Sequence, residues 1–179
     1  MENYLEQLIQ ENMERSKNYD IWLGCFMILS DKSLTRLVES DNLVCNGIMY
    51  NIQPASVDLR LNEDITLPPL TLMLGSTIEY INMPIKYAGR VEGKSSWGRL
   101  GLMIHVSAGF IDPGFHGNIT LELFNCSAEG LQLKRGMNIC QMCVEELDSV
   151  PEYVYGECHN HYQGQIGVTE SVLKEWSKE

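Results

Sequence analysis

The chain lacks any run approaching the roughly 20 consecutive apolar residues that a membrane span requires. Its opening residues, Met1-Glu-Asn-Tyr-Leu-Glu-Gln, lack the basic-then-apolar pattern of a secretory leader. A cytoplasmic protein with no membrane partner is expected, in the host's cytoplasm if the chain is virus-encoded. Positive charge is also scarce: 13 Lys and Arg stand against 24 Asp and Glu, a formal net charge of -11. Broad contact with nucleic acid calls for a basic face, so no nucleic-acid partner is expected. Internal repeats and low-complexity tracts are missing as well.

At 179 residues, with 44% hydrophobic residues, the chain can build one substantial core. The little positive charge it has is concentrated. Lys86, Arg90, Lys94, Arg99, Lys134 and Arg135 lie in one central stretch, which leaves room for a small anionic ligand. The six cysteines (Cys25, Cys45, Cys126, Cys140, Cys143, Cys158) are expected to be mostly reduced in the cytosol.

Leu5, Leu8, Ile9 and Met13 share one side of a helical wheel over residues 2–16, so residues 1–26 read as a helical extension. Ser30 is a candidate N-cap for a helix carrying Leu34, Leu37 and Val38. From Pro54 onward the pattern changes to short alternating runs separated by Gly, Pro, Asn and Asp: Val57, Leu59 and Leu61; Thr71 to Leu74; Thr77 to Tyr80; Ile119, Leu121 and Leu123. These predict a mainly β domain over residues 27–155, a sandwich or barrel such as a jelly roll, with a few short helices. Residues 156–179 read as a polar loop or mobile tail.

Gly93-Lys-Ser-Ser-Trp-Gly-Arg99 gathers two cations, two hydroxyls and two glycines around which phosphate oxygens can sit. An ordinary surface turn has the same composition. Asp112-Pro-Gly114 reads as a turn into a strand whose one face holds Ile119, Leu121 and Leu123. The other face then holds Asn118, Thr120 and Glu122. A carboxylate there either faces solvent, pairs with a neighbouring cation, or serves as a general base. Cys140-Gln-Met-Cys143 invites a zinc reading, but zinc-dependent nucleobase deaminases combine Pro-Cys-x-x-Cys with His-x-Glu. Residue 139 is isoleucine, and none of His105, His116, His159 and His161 is followed two positions later by Glu. Cys140 and Cys143 are expected to pack in a strand. Cys158-His-Asn-His161 has no fourth ligand at a recognisable spacing.

Gln53 to Leu61, Leu74 to Tyr80, Gly89 to Leu102, His105 to Asn125, Gly136-Met137 and Tyr162 to Gln165 together resemble the dCTP deaminases, including the bifunctional dCTP deaminase–dUTPases of the trimeric dUTPase superfamily. The likeness spans roughly residues 27–169. It implies a distorted jelly roll of the dUTPase type, assembled as a homotrimer whose sites are completed by neighbouring chains. It further implies zinc-independent deamination of dCTP to dUTP and ammonia, with onward release of dUMP and diphosphate in bifunctional members. dUTP and dTTP are further candidate ligands. By the same resemblance Glu122 is the general base, Ser95 and Arg99 hydrogen-bond around the reacting centre, and Ala108 contributes its backbone. Lys94, Ser96, Tyr155, His161, Tyr162 and Gln165 bind the nucleotide and its phosphates, and Asp112 places the water for diphosphate release, or simply shapes its turn. Mg2+ enters with the triphosphate, and residues 156–179 close over the nucleotide.

Three departures stand out. Lys94 replaces the arginine usual in a Gly-Arg-Ser-Ser motif and cannot reproduce a bidentate phosphate contact. His161 stands where a lysine is usual, so triphosphate binding is expected to weaken as pH rises. The connection between Leu61 and Leu74 is short, nearer to a minimal dUTPase. A dUTP diphosphatase without deaminase activity and a non-catalytic nucleotide-sensing trimer therefore stand as alternatives.

Overall fold

In the computed structural model, residues 27–40, 43–45, 51–105, 108–157 and 161–173 are described. The helix expected over 2–16, and Cys25, Cys158, His159 and Asn160, lie outside them. The first element is α1 (Asp31–Ser40). Its buried Leu34 and Leu37 stand on one face, three residues apart, as the sequence pattern requires. Among the described residues eleven strands follow: β1 (Val44–Cys45), β2 (Ile52–Gln53), β3 (Ser56–Arg60), β4 (Ile65–Leu67), β5 (Leu72–Asn82), β6 (Tyr87–Gly93), β7 (Leu102–Met103), β8 (Phe110–Ile111), β9 (His116–Asn125), β10 (Leu131–Leu133) and β11 (Asn138–Glu146). A single turn of helix, α2 (Ser95–Gly98), links β6 to β7. No helix among the described residues is long and apolar enough to cross a membrane.

Two antiparallel sheets carry the fold, in the orders β1-β5-β9-β7 and β2-β3-β11-β6-β8, with β4 and β10 forming a separate ribbon. Ile119, Leu121 and Leu123 of β9 share one hydrophobic cluster with Val57 and Leu59 of β3 and with Cys140, Met142 and Val144 of β11. The two sheets therefore meet face to face as a distorted jelly-roll sandwich. Residues before α1 join it: Ile28 bridges Glu145, and the Leu29 amide donates to Val144 O at 2.9 Å.

Three local readings change. All but Thr71 of the runs Thr71–Leu74 and Thr77–Tyr80 belong to one long strand, β5, whose register against β9 shifts between Ser76 and Tyr80. Two extra residues on β5 there, and the polar Ser76, Thr77 and Glu79 that the strand buries, make its apolar run look interrupted in the sequence. β3 does not alternate between core and solvent, since Ser56, Val57, Asp58 and Leu59 are all buried. Its polar positions are satisfied instead, Asp58 by Lys94 and Asn138. Residues 161–173 lack regular structure, as a loop should, but they are pinned along β9. His116 O accepts from Gly164 N at 2.8 Å, Gln165 O from Asn118 N at 3.0 Å and Thr120 Oγ1 from Thr169 N at 3.1 Å.

Cys140 and Cys143 both lie on β11 as expected. Three residues apart on a strand they point to opposite faces, Cys140 buried and Cys143 half-exposed, so the two thiols cannot grip one ion together.

Candidate functional site

A cavity of about 330 Å³ opens where the outer face of β9, the segment after β7 and the C-terminal segment meet. β9 supplies Thr120 and Glu122 from the face opposite the core, because its inward positions are taken by Ile119, Leu121 and Leu123. The Asp112-Pro-Gly114 turn supplies Asp112. Phe115 N donates to Asp112 O at 3.2 Å, and Gly114 adopts φ +82° at the corner, the conformation that favours glycine after proline in this turn. Ala108 lies just upstream on the same wall.

The far wall is the C-terminal segment, with Tyr155, Tyr162 and Gln165 facing the cavity. Tyr155 is set by the turn beneath it: its amide donates to Pro113 O at 2.8 Å, and its ring meets the edge of buried Phe115 at 5.4 Å. Its hydroxyl in turn accepts from Tyr162 N at 3.2 Å. Gln163 fastens the segment from below, donating to Gly114 O and Tyr155 O while its side-chain oxygen accepts from His116 N.

Glu122 faces this cavity with its side chain 35% exposed, and one carboxylate oxygen, Oε2, lies 3.2 Å from His105 Nδ1. Such a carboxylate can accept a proton from a molecule in the cavity, because its second oxygen is not engaged by that contact.

Of the residues singled out from the sequence, Ala108, Asp112, Glu122, Tyr155, Tyr162 and Gln165 line this one cavity. Lys94, Ser95, Ser96 and Arg99 are absent from its described wall and cluster around α2 instead. Ser95, Ser96 and Arg99 are exposed there. Trp97 anchors that turn by donating to Asn138 O at 2.9 Å. Lys94 is a brace as well as a surface cation, since its ammonium sits 2.6 Å from the buried Asp58 carboxylate. His161 is exposed, with its ring edge-on to Tyr162 at 6.3 Å.

Two contributors carry no role in the sequence reading. His105 has no motif of its own, and only the fold brings it to Glu122. Alternation places Asn118 with the outward residues of β9, but it is buried. Its side chain donates to Thr77 O and Glu79 O, both at 3.1 Å, and accepts from Gly167 N at 3.0 Å. It thus closes the β5 bulge and holds the C-terminal segment at once. An asparagine mid-strand was the available signal, because Asn is depleted in strands unless its side chain satisfies backbone groups.

A family model described as dCTP deaminase-like matches residues 60–147. A dUMP-forming dCTP deaminase of Rhodococcus erythropolis is 51% identical over 81% of this chain and 95% of its own. One from Nocardia farcinica is 38% identical over 81% and 90%. Among solved structures, the 2'-deoxycytidine 5'-triphosphate deaminase of Agrobacterium tumefaciens superposes with a TM-score of 0.56 at 20% identity, over 68% of this chain and 48% of that one. A variant dUTPase from phage phi11 of S. aureus, described with a structural Mg(II) ion, gives 0.52 at 17% identity over 72% and 94%. At these identities the two structures bear on the fold alone.

Proposed function

Because the chain belongs to the dCTP deaminase-like family, we propose that it hydrolyses dCTP to dUTP and ammonia and carries the product on to dUMP and diphosphate. The observation that carries this reading is Glu122, a partly exposed carboxylate set mid-strand in a nucleotide-sized cavity. In the proposed reaction Glu122 takes a proton from water as the water oxygen attacks C4 of cytosine. The C4=N3 π pair moves to N3, which takes one of the two water protons; as the tetrahedral centre collapses to C4=O the C4–N bond breaks, and ammonia leaves with the other proton, relayed by Glu122. A positioned base of this kind supplies about 10²–10⁴-fold. Ala108 contributes backbone to base or water placement, and Asp112 orients the water for diphosphate release.

Ser95 and Arg99 are assigned to the same chemistry across a subunit boundary, in a homotrimer whose sites take α2 from a neighbouring chain. Two observations support this. The cavity's described wall contains no residue of α2. Beside Glu122, on the same sheet face, Leu72, Phe124 and Met103 stand in register across β5, β9 and β7, with Leu72 54% and Met103 41% exposed. An apolar strip of this kind is a surface for another chain. Donors from that chain would stabilise the charge developing at the reacting centre.

Ser96, Lys94, Tyr155, His161, Tyr162 and Gln165 are proposed to bind the nucleotide and its triphosphate. Among the described residues no cluster of three or more His, Cys, Asp or Glu side chains could hold an ion unaided. A divalent cation fits here as the triphosphate's companion on phosphate oxygens, where Mg2+ supplies charge neutralisation.

Purified protein is incubated with Mg2+ and dCTP or, separately, dUTP, and ammonia, diphosphate and nucleotides are quantified by chromatography. Ammonia together with dUMP and diphosphate is the expected result. Accumulating dUTP would restrict the activity to deamination, dUMP from dUTP with inert dCTP would make the protein a diphosphatase, and no product from either would overturn the proposal.

A further inference from the structure

We infer that His105 is a positioning residue for deamination, which holds Glu122 by donating its Nδ1 proton to Oε2 and so leaves Oε1 to receive the proton from water. The inference rests on Glu122 being the base. His105 follows β7, and its side chain is only 8% exposed while Glu122 is 35% exposed. The contact between them is 3.2 Å from Nδ1 to Oε2.

The direction of the hydrogen bond follows from the partners. An ionised carboxylate only accepts, so Nδ1 must be the donor. The other ring nitrogen, Nε2, is shut off from solvent and meets no partner among the described residues. The single ring proton of a neutral imidazole therefore belongs on Nδ1, where it has an acceptor, and the tautomer is set by the surroundings. A mid-strand glutamate has three side-chain torsions, and without a fixed partner its carboxylate samples several orientations in a cavity this size. Tethering one oxygen selects an orientation in which the other can meet an attacking water. The tether comes from a ring that packing holds in place.

The test uses the full chain with the variants Glu122→Gln, His105→Phe, His105→Asn and the double variant His105→Phe/Glu122→Gln. Asparagine keeps an amide donor near the Nδ1 position, whereas phenylalanine keeps the ring's bulk without a donor. His105→Ala removes the donor without adding volume, should the phenylalanine disturb folding. Thermal melting and dCTP binding by calorimetry accompany the kinetics.

His105→Phe is expected to lower kcat for deamination by about 10–100-fold, the scale of a misplaced catalytic group, with KM changed less than about 3-fold. His105→Asn is expected to recover most of that loss. On the Glu122→Gln background His105→Phe should cost nothing further, because a residue that acts only through another has no effect once that other is gone. A donor-less variant with kcat near wild type, an asparagine variant as slow as the phenylalanine one, or losses that multiply in the double variant would each overturn the inference. Full turnover by Glu122→Gln itself would instead remove the base assignment, and this inference with it.

Discussion

At the scale of single residues, chemistry follows from what each side chain is allowed to touch. Glu122 presents its carboxylate to the cavity because β9 turns it away from the core. Glu122→Gln preserves shape and removes the proposed base, so on that proposal dCTP binding by calorimetry persists while the deamination rate falls by about 10² or more. The cysteines divide on the same principle. Burial pushes the Cys140 thiol far above the usual range, and the nearby Glu79 and Asp58 carboxylates push it further. Burial also raises Cys143, with Glu92 and Glu145 adding to the shift. Cys126 is exposed. Because the thiolate is the reactive form, brief alkylation of native protein followed by peptide mass mapping should label Cys126 well before Cys140.

At the scale of elements, polar side chains hold the strands and the C-terminal segment in register. Asn118→Ala would remove the side-chain hydrogen bonds to Thr77 O, Glu79 O and Gly167 N, leaving Glu79 O its bond from the Thr77 hydroxyl. The expected loss is about 1–3 kcal/mol, read from the urea midpoint. Faster hydrogen exchange over residues 161–173 should accompany it. Asp64, before β4, clasps the turn after β10: it accepts from Arg135 N at 2.8 Å and from Lys134 Nζ at 3.1 Å. The Arg135 amide, then Lys134, lower its pKa. A carboxylate whose folded pKa lies below the unfolded one adds stability that is present above the unfolded value and lost as pH falls through the folded one. In Asp64→Asn the acid limb of stability below about pH 4 should accordingly be shallower. The side chain is exposed, so the effect is small.

At the scale of the whole molecule, the separation of α2 from the Glu122 cavity is the feature with the most consequence. If each site takes Arg99 from one chain and Glu122 from its neighbour, Arg99→Ala and Glu122→Gln proteins are each inactive as pure trimers. Refolded together in equal amounts they assort at random, and a closed three-chain ring then recovers about a quarter of wild-type deamination, since each site needs two independent intact contributions. Rate measurements before and after co-refolding, with light scattering to count subunits, check this. No recovery would place both residues in one chain's site.

Much of this was legible in the sequence because it depends on local periodicity or on a contiguous motif. The two-residue repeat at Ile119, Leu121 and Leu123 determined which face of β9 is buried and hence that Glu122 looks outward. Pro113 and Gly114 determined the turn that carries Asp112, and the spacing of Leu34 and Leu37 determined α1. Motif order alone pointed to the family. The single β5 strand was hidden by its bulge, the burial of Asp58 by its partnership with a lysine 36 residues away, and the tail's seat by a hydrogen bond from Gly167 to the Asn118 side chain that spans 49 residues. The meeting of His105 with Glu122, and the absence of α2 from their cavity's described wall, were decided only by tertiary structure. Pattern along a chain encodes which way a side chain faces, whereas what it faces is settled by which strands pair and how the sheets stack.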